Sequence, residues 1–186
     1  MGPLDLLTVG NQEMRKIVCL AALAASLVAA APAMAASTAT ATADARGVVL
    51  QSLTLNWISD LDFGTVAGDT TNPGTVSVNA DTGARSTTGA VVALPGAFGR
   101  AQFDGFASAN QSVQLTLTQP AGGVICNAAC ANTVGAVLNL DNGGATNRNT
   151  GATGAFTVFV GGDFSIAANQ AAGLYTAQFD LTAVYP

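Results

Sequence analysis

The chain has 186 residues and a formal net charge of −5 at pH 7, with 49% hydrophobic and only 9% charged residues. It contains no histidine, and its lysine and glutamate, Lys16 and Glu13, both lie near the N-terminus. General acid–base catalysis, nucleophile activation and transition-metal binding draw mainly on these residue types. The composition therefore argues against an enzyme and against a bound cofactor or metal, and it favours a structural or binding role.

The N-terminal region has the pattern of a secretory signal peptide. Met14-Arg15-Lys16 provide a positively charged start, residues 17–31 form an apolar run, and Ala33-Met34-Ala35 is a small-residue cleavage site. The apolar run is shorter than the roughly 20 residues of a membrane-spanning helix, and no later stretch is apolar enough to form one. We therefore predict export to the periplasm, cell surface or extracellular space of a Gram-negative-type bacterium.

This leader divides the chain into four segments. Residues 1–13 are interpreted as an upstream extension outside the native structure, and residues 14–35 as the signal peptide. Residues 36–46 form a flexible segment or donor strand, and residues 47–186 fit a single domain. The exported part carries scattered arginines and no basic stripe, so nucleic acid is not an expected partner.

Two cysteines, Cys126 and Cys130, remain after the predicted cleavage. An oxidising compartment favours a disulfide between them. The loop that they close is short, so the bond is expected to fix a loop tip more than to stabilise the whole domain. A redox-active pair or a metal site fits this spacing poorly.

Apolar residues alternate with period two along most of the remaining chain, and Gly, Asn, Asp or Pro clusters interrupt them. About nine short strands are predicted, and no stretch has the period of a long amphipathic helix. This pattern indicates an all-β domain, an immunoglobulin-like β-sandwich. Gly161-Gly162 is predicted to form a hairpin or a bulge between two of its strands.

The most regular alternation lies at the C-terminus, where one predicted strand places a set of apolar residues on a single face. Gly173 precedes them and Pro186 ends the chain. The pattern resembles the C-terminal motif of chaperone-usher pilins. The predicted assembly residues are Gly173, Tyr175, Ala177, Phe179, Leu181, Ala183 and Tyr185.

The resemblance to pilins implies an incomplete sandwich that lacks one strand. It further implies that the C-terminal strand pairs first with a periplasmic chaperone, and that a neighbouring copy of the chain then completes the sheet with its N-terminal segment. Ser37–Arg46 has the right alternation for such a donor strand, but its threonine and alanine side chains bury little apolar area. A disordered tether is the alternative for this segment.

A second resemblance covers most of the domain. The segments that carry it are Leu61-Asp62-Phe63-Gly64, Ala101-Gln102-Phe103, and Val160-Gly161-Gly162-Asp163-Phe164 with Asn169-Gln170 and Gly173-Leu174-Tyr175. Together these segments are similar to a family of secreted bacterial domains of unknown function with a pilin-like pattern. No catalytic residues follow from this resemblance.

Two further features have competing interpretations. Trp57 alternates with Leu53 and Leu55, which predicts a core residue, although an exposed tryptophan could stack on a sugar. The three aspartates Asp60, Asp62 and Asp69 are interpreted as turn and strand-end carboxylates, because their spacing does not match a calcium loop.

Two functions therefore compete. The first is an exported, non-catalytic surface subunit of pilin type that assembles through its sheet edge. The second is a stand-alone secreted or periplasmic binding or adhesion module with a closed sandwich.

Overall fold

The computed structural model describes residues 37–186, and the predicted leader and upstream extension lie outside the described residues. Arg46–Pro186 form one compact unit. The described part of the preceding unit, residues 37–45, is exposed and has no regular secondary structure.

Residues 37–186 contain thirteen strands and three short helical turns, so the predicted all-β, sandwich-like fold is confirmed. The first strands are β1 (Thr54–Ser59), β2 (Val66–Ala67), β3 (Gly74–Val78), β4 (Arg85–Gly89), β5 (Val92–Ala93) and β6 (Ala101–Phe106). The remaining strands are β7 (Ser112–Thr118), β8 (Val124–Asn127), β9 (Thr133–Leu140), β10 (Asn147–Asn149), β11 (Ala155–Ile166), β12 (Tyr175–Thr176) and β13 (Asp180–Val184). The helical turns are Ala121–Gly123, Ala128–Cys130 and α1 (Asp141–Gly144).

The strands form a large antiparallel sheet, a three-stranded sheet and one small pair. The large sheet has the order β1-β6-β11-β9-β8-β12, and the β3-β4 hairpin joins it through β11. The three-stranded sheet has the order β10-β7-β13, and β2 pairs with β5. The chain thus builds one extensive layer and a smaller layer that packs against part of it.

Alternation along the strands builds the core between these layers. In β9 the side chains alternate strictly between exposed and buried, and β7 follows the same rule up to Leu115. The main core contains nine buried residues from both sheets and their connections: Ala101, Ala107, Val113, Leu115, Leu138, Leu140, Phe156, Val158 and Val160. Burial of each of the larger side chains in this core, those of valine, leucine and phenylalanine, stabilises the fold by about 1.5–3 kcal/mol.

The prediction of a hairpin or bulge at Gly161-Gly162 is corrected by β11, which runs through both glycines as one twelve-residue strand. On one side β11 pairs with β6 up to Val160 and with β3 from Gly162 onwards. Gly161 therefore lies at the point where the neighbouring strand of β11 changes from β6 to β3. A Cβ at Gly161 would stand 2.5 Å from the amide nitrogen of Ala80, and one at Gly162 would stand 2.5 Å from the carbonyl oxygen of Val137. The glycines are therefore required by close backbone approach, which is a known role of glycine within strands.

The C-terminal segment is also divided differently from its prediction. The single strand expected over residues 175–185 is two strands: β12 pairs with β8 in the large sheet, and β13 pairs with β7 in the three-stranded sheet. Residues 177–179 carry the chain from one layer to the other. The predicted alternation is nevertheless present, except that Ala177 is exposed rather than half-buried.

Candidate functional site

We use the term groove for the region bordered by the edge strands β1 and β13, the segment that follows β1 and the segment that precedes β13. Within the described residues, β1 pairs only with β6, and β13 pairs only with β7. Both strands are therefore sheet edges with unpaired backbone groups on their outer sides. The inward side chains of both strands, Leu55 on β1 and Leu181 and Ala183 on β13, pack against the main core but remain only half-buried.

One end of the groove is tied by Tyr185. Its hydroxyl donates to the carbonyl of Gln51 at 2.9 Å and accepts from the backbone N–H of Ser108 at 2.7 Å. The N–H of Gln51 in turn donates to Oγ of Ser108 at 2.6 Å. The C-terminal residue of the predicted assembly set thus anchors the chain that leads into β1.

The other end of the groove widens into a cavity of about 760 Å³. It lies between residues 60–70 and residues 169–179, and a hydrogen bond from the N–H of Asn169 to the carbonyl of Asp69, 2.9 Å long, connects these two walls. The floor is made of buried core side chains, among them Ile125, Val134 and Ile166. This volume is within the range of typical ligand pockets.

The Leu61-Asp62-Phe63-Gly64 motif forms part of one wall of this cavity, and each of its residues makes a contact that explains its residue type. Leu61 and Phe63 pack on the main core. The Asp62 side chain accepts from the N–H of Gly64 at 2.7 Å, and the Asp62 backbone forms two 2.8 Å hydrogen bonds with Gly99. Gly64 has a φ of 74°, which favours glycine. A Cβ at this position would collide with the guanidinium of Arg85.

Phe63 is the central side chain of this wall, because it packs against all three apolar clusters of the domain. Its ring stacks on Phe164 with centroids 5.3 Å apart, and Phe164 meets Tyr175 edge-on at 6.3 Å. Farther along the groove, Phe103 and Phe179 meet edge-on at 6.1 Å. Aromatic pairs of this kind connect the two walls through the floor, and each contributes about 0.5–1.5 kcal/mol beyond its buried area.

Trp57 corrects the prediction of a core tryptophan. The register places it opposite Phe103, on the same face of the sheet as Leu55, as its alternation indicated. It is nevertheless 61% exposed, and its indole N–H donates to the carboxylate of Asp60 rather than packing in the core. The alternation identified the face of the strand correctly, but not the burial of the residue.

The carboxylates near the cavity are engaged in turns, as their spacing suggested. The side chain of Asp60 accepts from the indole N–H of Trp57 at 3.1 Å, and Asp69 accepts from the N–H groups of Thr71 and Asn72 at 2.7 Å each. These two backbone hydrogen bonds lower the pKa of Asp69 below its ordinary value of 3.8. Within residues 37–186, no cluster of three or more His, Cys, Asp or Glu side chains could hold a metal ion.

The disulfide between Cys126 and Cys130 is present, and it closes the turn that follows β8. It borders the cavity, because Cys126 pairs with Thr176 of β12, which lines the cavity wall. No helix among the described residues is long and apolar enough to cross a membrane.

The groove therefore unites most of the residues singled out from the sequence. The cavity is lined by Leu61-Asp62-Phe63-Gly64 together with Gly173, Tyr175, Ala177 and Phe179, whereas Leu181, Ala183 and Tyr185 follow the groove to its other end. Gly161 and Gly162 lie inside the large sheet and do not line the cavity.

Sequence reasoning did not identify the residues that fix each wall of the cavity in place. Arg85 donates to the carbonyls of Phe63 and Leu94, and Gln170 donates to the hydroxyl of Tyr175 and the carbonyl of Thr133. The scarcity of cations in this chain could have drawn attention to Arg85. Gln170 lay within the segment that carried the family resemblance.

A protein-family model described as a domain of unknown function (DUF4402) matches residues 53–185, so the chain belongs to this family. Neither the curated proteins nor the solved structures include a significant match. The matched region begins just before β1 and ends at Tyr185, so it contains β1, β13 and both walls of the cavity.

Proposed function

We propose that the chain is an exported, non-catalytic surface subunit of pilin type, which assembles by accepting an extended segment of a second copy into the open groove. The observation that carries this proposal is the groove itself. Two sheet edges, β1 and β13, border a floor of core residues, and their own inward side chains are only half-buried. A strand inserted there would pair with exposed backbone groups and cover apolar side chains at the same time.

The chain carries a segment suited to this role directly before β1. Residues 37–53 have no regular secondary structure. Val48 and Val49 are 86% and 96% exposed, and Leu50 is 39% exposed. These side chains supply the apolar area that the Thr/Ala alternation of Ser37–Arg46 lacks, and they lie outside β1, so their insertion into a neighbour would not remove a strand from the subunit.

The length of the segment is sufficient for exchange between copies. Residues 37–50, fully extended at about 3.3 Å per residue, reach about 45 Å, whereas a typical strand of five or six residues covers about 17–20 Å. A periplasmic chaperone would supply a temporary strand to the same groove before assembly. Export agrees with the disulfide, since such bonds persist in oxidising compartments.

A stand-alone binding module is the second candidate, and the hydrogen bonds at the two ends of the groove favour it. The ties from Tyr185 to Gln51 and from Asn169 to Asp69 hold the walls in place without any inserted strand. In that case the cavity of about 760 Å³ would be the binding site of the module.

The first experiment is the size and heat sensitivity of the protein sheared from intact cells, measured by sizing chromatography and by gel with and without boiling. Particles that collapse to monomer only on boiling are expected for a strand-complemented polymer. A monomer under both conditions would overturn assembly and leave the binding module.

Paired variants then separate donor from acceptor. Val48→Asp/Leu50→Asp should abolish donation, and Ala177→Trp should fill the cavity and abolish acceptance. Each variant alone is expected to be monomeric, and their mixture should yield a dimer. Val137→Asp, a matched change at a 65% exposed valine on the outer face of β9, should leave the polymer intact. If the mixture gives no dimer, or the control also loses polymer, insertion of this segment is wrong.

A further inference from the structure

The disulfide lies where the cavity wall joins the large sheet. β12 has only two residues, and they pair with Asn127 and Cys126 of β8. Within the described residues β12 has no other strand partner. So short a strand forms few hydrogen bonds, and its position therefore depends on how well ordered β8, the strand it pairs with, is.

The end of β8 is in turn held by the turn that the disulfide closes. The N–H of Asn127 donates to the carbonyl of Asn132 at 3.0 Å, and the N–H of Asn132 donates to Oδ1 of Asn127 at 2.8 Å. Within this turn Cys130 has a φ of 50°, a left-handed conformation that residues other than glycine and asparagine rarely adopt. The disulfide joins Cys130 to Cys126 of β8 and so closes this turn covalently.

The other side of β12 faces the cavity. Tyr175 and Thr176 both line it, and the Tyr175 ring packs against the cluster of Ile125, Val134 and Ala136. The Tyr175 hydroxyl donates to the carbonyl of Ala171 at 2.6 Å. A shift of β12 away from β8 would therefore move this wall and change the width of the cavity.

We propose that the Cys126–Cys130 disulfide is a redox-sensitive clasp that holds β12 against β8 and thereby sets the shape of the cavity. A dithiol reductant opens it by transferring two electrons and two protons to the cystine. This breaks the S–S bond, yields two cysteine thiols and leaves the reductant as a cyclic disulfide. The effect on strand acceptance rests on the proposed function, whereas the clasp itself is a property of the single subunit.

The test is residue-resolved amide hydrogen exchange of the full purified chain in its oxidised form, after reduction with dithiothreitol, and in the Cys126→Ser/Cys130→Ser variant. Exchange in residues 174–177 is expected to become at least tenfold faster in both the reduced and the variant protein. β13 serves as the internal reference and should change by less than twofold. Reoxidation of the wild-type chain with oxidised glutathione should restore slow exchange, and the same treatment should leave the variant unchanged.

Two results would overturn the clasp. Faster exchange confined to residues 127–132, with residues 174–177 unchanged, would show that the disulfide orders only its own turn. Equal acceleration of exchange in β12 and β13 would show that the disulfide stabilises the whole domain rather than β12 in particular. The exchange compares strands within one subunit, so a failure of assembly would not affect the result, and a failure of the clasp would leave the assembly proposal intact.

Discussion

The two edge strands of the three-stranded sheet, β10 and β13, are held by different kinds of contact. At the β10 edge, α1 carries the chain from β9 to β10, and Arg148 of β10 forms a buried ion pair with Asp141. At the β13 edge, the strand ends two residues before the C-terminus and is tied to the chain before β1 by the Tyr185 hydroxyl. Both edge strands pair only with β7 among the described residues, but β10 is held by a sequence-local, buried ion pair, whereas β13 borders the groove. The same sheet therefore combines a stable attachment with an edge available for pairing.

The largest expected effect is at the β10 edge. Arg148→Met removes the cation that pairs with the buried Asp141 and that also donates to the carbonyl of Ala145 at 2.6 Å. The carboxylate would remain buried without its partner, so we expect the free energy of unfolding to fall by about 3–5 kcal/mol. Urea unfolding measures this loss.

The double variant Arg148→Met/Asp141→Leu is the control for that prediction. It removes both charges, and replacement of a buried pair by apolar residues is often nearly neutral, so most of the lost stability should return. A loss below about 1 kcal/mol in the single variant would show that this edge is not fixed by the ion pair.

A matched pair of leucines compares the two regions directly. Leu115 on β7 is 1% exposed, whereas Leu181 on β13 is half-buried at the groove. Leu115→Ala is expected to cost about 2–5 kcal/mol in urea unfolding. Leu181→Ala should cost the monomer roughly 1 kcal/mol, because less of its area is removed from water. Equal costs would mean that the groove is covered in the isolated chain, which contradicts an open edge.

The glycines of the large sheet give a smaller effect, independent of the groove. Gly161→Ala places a methyl group against the backbone of Val78 and Ala80, and we expect a loss of about 1–3 kcal/mol. Gly99→Ala is the matched control, because nothing lies within 4 Å of its Cβ position, and it should change stability by less than about 0.5 kcal/mol. Similar unfolding midpoints for the two variants would remove close backbone approach as the reason for this glycine.

The smallest effect concerns pH. The N–H groups of Thr71 and Asn72 hold the pKa of Asp69 below 3.8, so the ionised carboxylate is favoured in the folded chain. A group whose pKa is lowered on folding contributes stability above its unfolded pKa, and that contribution is lost as the pH falls through the folded pKa. An NMR titration of the Asp69 carboxyl should give a midpoint below 3.8, and Asp69→Asn should remove this local pH dependence. A midpoint at or above 3.8 would contradict the turn at this wall of the cavity.

Much of the fold follows from alternation, and its failures have a common cause. Alternation reports which face of a strand a side chain occupies, and it did so correctly for β7, β9 and Trp57. It does not report the neighbouring strand. For this reason it could not predict that the C-terminal segment changes sheets between β12 and β13. It also could not show that Gly161-Gly162 serves close packing inside a strand.

The candidate site was predicted in its parts but not in its arrangement. The residues of Leu61-Asp62-Phe63-Gly64 and the C-terminal set were identified as two separate motifs, and the structure places them on opposite walls of one groove. Their separation in sequence exceeds 100 residues, and such pairs are brought together only by the order of strands. The ties made by Arg85 and Asn169 go to backbone carbonyls, which leave no pattern in a sequence.

The sequence by itself determined the all-β class, the inward faces of the strands, the disulfide partners and the scarcity of catalytic side chains. These depend on local period, residue type and count, which the chain carries without reference to its fold. Only the tertiary structure decided which edges remain open, which inward faces remain uncovered, and that the two motifs border one cavity. These depend on long-range strand pairing, where backbone hydrogen bonds and the area covered by the opposing layer, rather than the side-chain pattern, determine which strands meet.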